Sequence, residues 1–211
     1  MQHALPGFNP LPNGFQVKSL AIDKKSQSQL LASVQAIWAE APCEPTQVRS
    51  GYQTSARMTN CGRVGWWSDR QGYRYTTTNP KSGKPWPLMP ELFIETLKTV
   101  LAKTSAAGFQ PDACLINHYE NRAKMGLHQD KDEADFSYPI VTVCLGAAAD
   151  FLIGGLKRSD KPHTVLVESG DVIIMGGESR MRFHGIRKIY PGTSPIAGLD
   201  GRISLTFRRA L

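Results

Sequence analysis

The stretch Lys124-Met-Gly-Leu-His128-Gln-Asp130-Lys131-Asp132-Glu133 decides how the rest of the chain is read. Run as a strand, it puts His128 and Asp130, at i and i+2, on one side. An imidazole and a carboxylate then converge on one point. A third ligand stands 54 positions further on, at His184 in Arg182-Phe-His-Gly-Ile186. Two histidines and one carboxylate on one face of a metal leave the opposite positions open, the pattern of a non-haem Fe(II) oxygenase site. To bind, both imidazoles must be neutral and the carboxylate ionised.

Ligands so far apart in sequence need a fold that brings distant strands across one cavity. From residue 113 the chain is β-rich. Strands are expected at 113–119, 127–129, 140–145, 151–154, 164–168, 172–175, 184–189 and 202–207, with turn residues between most of them. Eight short strands at this spacing predict a two-sheet jelly roll or barrel, with helices elsewhere giving a mainly β, α+β class. No long helical segment separates them, which excludes a parallel α/β sheet. Gly154-Gly155 and Gly176-Gly177 read as turns or bulges.

The last strand reads Arg202-Ile-Ser204-Leu-Thr206-Phe-Arg208. Alternation puts Arg202, Ser204, Thr206 and Arg208 on one face and Ile203, Leu205 and Phe207 on the other. Two guanidiniums and two hydroxyls on one face suit a small dicarboxylate, which arginine pairs in a bidentate way. Asn117 and Tyr119, also i and i+2, add hydrogen-bonding groups from a neighbouring strand. His3, His118 and His163 have no comparable surroundings. His163 reads as a loop residue, and His118 alternates away from Asn117 and Tyr119.

The N-terminal half is different. Residues 1–20 are rich in Pro and Gly and read as an irregular arm with an extended piece near 15–20. Leu30, Leu31, Val34, Ile37 and Trp38 predict an amphipathic helix over 26–39, ended by Pro42. Between Arg57 and Lys84 there are six Lys or Arg and one acid, interleaved with Trp66, Trp67, Tyr73 and Tyr75, and Trp86 follows. Cations neutralise phosphates and flat rings stack on bases. Short strands at 63–67 and 73–77, joined by Ser68-Asp-Arg-Gln-Gly72, predict a hairpin flap over the later core. Pro90 opens a second helix, expected from Glu91 to about Ala107, with Gly108 as its stop.

At 211 residues one domain over 1–211 is expected: arm and helix over 1–42, flap over 43–87, helix and jelly roll over 88–211. The formal net charge of +7 favours polyanionic partners. Cys43, Cys61, Cys114 and Cys144 form no C-x-x-C pair, which argues against a zinc knuckle and fits a reducing compartment. Neither a secretory signal nor a membrane-spanning apolar run is evident, so a cytoplasmic protein is expected, with a monomer as the default.

Taken together, Asn117-His-Tyr119, Leu127-His-Gln-Asp-Lys-Asp-Glu133, Gly154-Gly-Leu-Lys-Arg158, Gly176-Gly-Glu-Ser-Arg180, Phe183-His-Gly185 and Arg202-x-Ser-Leu-Thr-Phe-Arg208 resemble the AlkB family. Met58-Thr-Asn-Cys-Gly62, Arg70-Gln-Gly-Tyr73 and Lys84-Pro-Trp-Pro87 extend the likeness over roughly residues 50–209, in order and with spacing kept. The resemblance implies a double-stranded β-helix that binds Fe(II) through His128, Asp130 and His184. It implies that Arg208 and Asn117 hold the metal-chelating end of 2-oxoglutarate, and that Arg202 and Tyr119 hold its distal carboxylate. Ser204 stands where the family pattern has asparagine, so it would reach that carboxylate only through water. The flap becomes a nucleotide-recognition lid. Trp66 and His128 would sandwich a flipped base, Asp132 would read its amino group, Tyr73 would contact phosphate and Arg158 would line the pocket. Trp67 and Met175 differ in type from the pattern.

The activity implied is oxidative demethylation of 1-methyladenine and 3-methylcytosine in DNA, single-stranded or with the base flipped, with RNA as the other candidate polymer. 2-Oxoglutarate and O2 are the cosubstrates; succinate, CO2 and formaldehyde are released. Two other classes share parts of this pattern. A hydroxylase of protein or free amino acids would not need the basic aromatic flap. A metal-binding cupin-like module would not need two arginines beside an open iron site.

Overall fold

The computed structural model describes residues 11–120 and 122–211. The expected arm over residues 1–10, with His3, lies outside the described residues. In chain order the elements are β1 (Phe15–Lys18), α1 (Lys24–Glu40), β2 (Glu44–Gln47), β3 (Gln53–Gly62), β4 (Gly65–Asp69), β5 (Gly72–Thr76), α2 (Glu91–Leu101), β6 (Ala113–Tyr119), β7 (Met125–His128), β8 (Ile140–Gly146), β9 (Ala149–Ile153), β10 (His163–Val167), β11 (Val172–Met175), β12 (His184–Ile189) and β13 (Arg202–Arg208). A short 3-10 turn over Gly177–Ser179 precedes β12. Among the described residues no helix is long and apolar enough to cross a membrane.

Helix α1 starts two residues earlier than its apolar stripe suggests. The Asp23 carboxylate accepts from the Ser26 backbone N–H at 2.9 Å and so caps the first turn. Helix α2 ends at Leu101, and the residues up to Gly108 are turns rather than helix.

A seven-stranded sheet runs β1-β11-β8-β13-β6-β3-β2, and a four-stranded sheet runs β10-β9-β12-β7. Face-to-face packing of the two makes the jelly roll. Every residue of β13 is buried, because the large sheet is covered on both faces. Ile203, Leu205 and Phe207 pack with Val141, Val143 and Leu145 against Leu30, Val34 and Ile37 of α1 and Phe93 and Leu97 of α2. Phe93 and Phe207 meet edge to face at 5.7 Å. The opposite face of the large sheet packs against Phe151, Ile153 and Ile186 of the small one. The core is thus two layers thick, helix on sheet and sheet on sheet.

Two local expectations are corrected. Residues 44–47 and 53–62 are strands β2 and β3, which extend the large sheet through β6. Strands β4 and β5 stand apart, as a two-stranded hairpin whose turn is Arg70-Gln71. His163 opens β10 opposite Ile153 and is not in a loop. β13 lies at the middle of its sheet between β8 and β6, so its polar face looks into the molecule.

Candidate active site

Strand pairing brings the two histidines together. β12 runs antiparallel to β7 with His184 opposite His128, and their rings lie 4.4 Å apart. Gly185 permits that approach: a Cβ there would sit 2.5 Å from the Met125 carbonyl oxygen. The register shifts immediately after His184, so the pair sits beside a local bulge.

Asp130 is placed differently from the expectation. β7 ends at His128, so the pleat does not carry Asp130. Buried guanidiniums do. Arg208 donates from Nη2 to Asp130 Oδ2 at 2.7 Å, and Arg180 donates from Nη1 to the Asp130 carbonyl at 2.8 Å. Asp130 then faces both imidazoles, with His128 Nε2 and His184 Nε2 each 3.7 Å from a carboxylate oxygen. One ligand atom from each of the three lies within 4.8 Å of the others.

Protonation states suit a metal. His128 Nδ1 lies 2.9 Å from the Gly126 carbonyl and His184 Nδ1 lies 3.1 Å from the Arg182 carbonyl. A carbonyl only accepts, so the proton belongs on Nδ1 and the Nε2 lone pair is left for an ion. Burial, then the neighbouring His128, lowers the His184 imidazole to about 4, so it is neutral near pH 7. For Asp130, burial works against the charge, but Arg208 and the two imidazoles outweigh it and hold the carboxyl well below the usual range.

Beside the triad, between the two sheets, a cavity is lined by Thr142, Met175, Arg202, Ser204, Thr206 and Arg208 along with the three ligand side chains. Arg202 is fully buried. It donates from Nη1 to the Ala147 carbonyl at 3.2 Å, but among the described residues Nε and Nη2 have no partner, and neither does Asn117 Oδ1. Tyr119 lies opposite Arg202, and Asn117 lies opposite Ser204. Buried guanidinium donors without partners are costly unless an anion completes them. The residues therefore fit a carboxylate at Arg202 and a divalent ion at the triad. A dication and a dicarboxylate together add no net charge to the buried site.

A second, larger cavity of about 430 Å³ opens on the other side of the triad. Trp66, Tyr73, His128, Asp132, Arg158 and Phe183 line it. The Asn60 amide fixes Trp66 by bonding both its N–H and its C=O, at 2.9 and 3.0 Å. Trp66 Nε1 donates to Asp132 Oδ2 at 2.8 Å. The Tyr73 ring stacks on Trp66 at 5.5 Å rather than standing apart from it. Trp67 faces away, donating to Asp69 and lying near Trp86. His118 is on the helix side of the sheet, against Trp38, remote from the triad's face.

Sequence reasoning missed the charges behind the triad. Glu133 and Arg180 are buried, and Arg180 Nη2 donates to Glu133 Oε2 at 2.9 Å. Glu133 Oε1 faces Arg208 Nε at 3.3 Å and accepts from the Tyr75 hydroxyl at 2.6 Å. The signal available was Glu133 itself, an acid three residues after a metal-ligand candidate, with Arg180 unassigned elsewhere.

Residues 14–208 match the 2OG-Fe(II) oxygenase superfamily. The chain is 45% identical over 182 residues to the alpha-ketoglutarate-dependent dioxygenase AlkB of Escherichia coli (strain K12), covering 86% of this chain and 84% of that protein. It is 43% identical to the protein of the same name from Salmonella typhimurium, covering 97% and 94%. The solved structure of OsALKBH1 superposes with a TM-score of 0.83 at 30% identity, over 95% of this chain and 99% of that one.

Proposed function

Because the chain belongs to the AlkB family within the 2OG-Fe(II) oxygenase superfamily, we propose that it repairs DNA by oxidising methyl groups off base nitrogens, with 1-methyladenine and 3-methylcytosine as substrates. It is an Fe(II)- and 2-oxoglutarate-dependent dioxygenase. One observation supports the substrate class above the others. The cosubstrate cavity and the aromatic cavity share Met125, His128, Asp130 and Arg208, so two of the three triad residues face both.

In this reading His128 Nε2, Asp130 and His184 Nε2 hold Fe(II). Arg202 and Tyr119 take the distal carboxylate of 2-oxoglutarate, with Ser204 acting through water, and Arg208 with Asn117 takes the end nearer the metal. When bound, Fe(II), 2-oxoglutarate and O2 supply the oxidation that leaves succinate, CO2 and a hydroxylated N-methyl carbon. The hydroxymethyl group then departs as formaldehyde and returns the base.

The chain's own part is to extract, orient and shield the base. A ring nitrogen inside a duplex is out of reach, and a methylated, poorly paired base is cheaper to flip. Trp66 and His128 would flank the flipped ring. Asp132, already held by the Trp66 indole, offers its second oxygen to a base made cationic by methylation. Arg158 closes the rim of the pocket. Tyr73, with its ring on Trp66, is half exposed and turns its hydroxyl to the backbone phosphate. Residues 43–87 serve as the recognition lid, β2 and β3 joining it to the core and the hairpin forming its aromatic wall. A cytoplasmic monomer acting on DNA completes the reading.

Formaldehyde release from an oligonucleotide carrying 1-methyladenine tests it. Release that requires both Fe(II) and 2-oxoglutarate is the expected result. 2-Oxoglutarate turnover with no formaldehyde from methylated DNA or RNA would defeat it.

A further inference from the structure

The loop after Asp130 carries more than a ligand. Within four residues it holds Asp130, Asp132, which anchors Trp66 of β4, and Glu133, which anchors Tyr75 of β5. Both hairpin strands are therefore tied to the segment that supplies the carboxylate ligand. Glu133 is the tighter link. Its Oε1 is shared by the Tyr75 hydroxyl at 2.6 Å and Arg208 Nε at 3.3 Å, and Arg208 is in turn shared with Asp130 Oδ2. Arg180 closes the ring, bonding Glu133 Oε2 and the Asp130 carbonyl. The side chains of Asp130, Glu133, Arg180 and Arg208 are all at most 9% exposed. Two acids and two guanidiniums balance each other in a space with little water to relax a change, so a shift of one is felt by its partners.

We propose that Glu133 and Tyr75 are positioning residues that transmit filling of the metal and cosubstrate site to the hairpin. The aromatic wall is then held for a base only once the site beneath it is loaded. The inference rests on the dioxygenase reading of the triad. A metal ion draws on Asp130, and a cosubstrate carboxylate draws on Arg208. Either one changes how Arg208 is divided between Asp130 and Glu133, and Tyr75 bonds the same Glu133 oxygen. Tyr75 lines neither of the two cavities, and its hydroxyl meets the charged cluster through Glu133.

Hydrogen exchange of the hairpin amides 65–76, read with and without Mn(II) plus 2-oxoglutarate at saturating concentrations, tests this in full-length wild type and Tyr75→Phe. In wild type, loading slows exchange about ten-fold, within the usual range of site-to-site coupling. In Tyr75→Phe the response shrinks to about two-fold or less. A hydroxyl that merely braced the hairpin would leave both states faster but the ten-fold response intact, and that result overturns the proposal. So does a wild-type hairpin that ignores loading. Formaldehyde release from methylated oligonucleotide, measured on the same wild-type preparation with Fe(II) in place of Mn(II), separates the two claims: its absence counts against the demethylase reading and leaves the exchange result standing.

Discussion

Arg202 combines full burial with two donors that meet no partner among the described residues. Replacing an unpaired buried charge by an apolar group of similar length is neutral or stabilising. Arg202→Met is therefore expected to melt no lower than wild type in the absence of ligands, while its KM for 2-oxoglutarate rises about ten-fold or more. Thermal melts beside cosubstrate titrations check both halves. Glu133→Ala should behave in the opposite way. It leaves Arg180 and Arg208 short of a partner in the interior, and a loss of about 3–5 kcal/mol in urea unfolding is expected. His184 gives a pH dependence. Its folded value of about 4 lies below the ordinary value near 6.5, so the unfolded chain binds the proton more readily. Stability of the metal-free protein is full above about pH 6.5 and is lost as pH falls toward 4, by roughly 2–3 kcal/mol at pH 4.5. Urea melts at pH 7 and 4.5 should show that loss, and His184→Gln should show less of it. The alternation of β13 was enough to read which face carries Arg202 and Arg208. The placement of Asp130 was not legible in the same way, because buried guanidiniums from residues 180 and 208 fix it and no local period does.

The hairpin β4–β5 is the element on which substrate choice turns. Asn60 from β3 and Asp132 from the loop after β7 clamp Trp66 from two sides. Gly65 lets Trp86 pack beneath the strand; a Cβ there would meet the Trp86 ring at 2.4 Å. Stacking on an aromatic side chain is worth about 1–3 kcal/mol per base. Trp66→Ala should thus weaken methylated-oligonucleotide binding about ten-fold or more while 2-oxoglutarate affinity changes little. Fluorescence anisotropy and calorimetry would check the pair, and an unchanged oligonucleotide affinity would count against the aromatic wall. The hairpin was legible from its aromatics and its Asp-Arg-Gln-Gly turn. Strands β2 and β3 were not. Residues 58–62 are buried on both faces, which erases the alternation that marks a half-exposed strand, and Glu44-Pro45 reads as a break.

At the scale of the molecule, the large sheet separates two jobs. Its helix-covered face stores apolar burial, and its inner face, shared with the small sheet, carries the metal and cosubstrate groups. The formal charge of +7 predicts that binding of a methylated single strand weakens linearly in log salt, with a slope of about −0.7 per phosphate contacted. The eight strands from residue 113 onward, the hairpin and both helices could be placed from local pattern, but the grouping of the strands into sheets came from pairings that no local pattern encodes. The most direct test of the whole picture is Mn(II) binding by calorimetry, with and without 2-oxoglutarate, in wild type and His184→Ala. One ion per chain, bound about ten-fold more tightly when 2-oxoglutarate is present and lost in His184→Ala, is the predicted result. Equal Mn(II) affinity in both proteins, indifferent to 2-oxoglutarate, would contradict it.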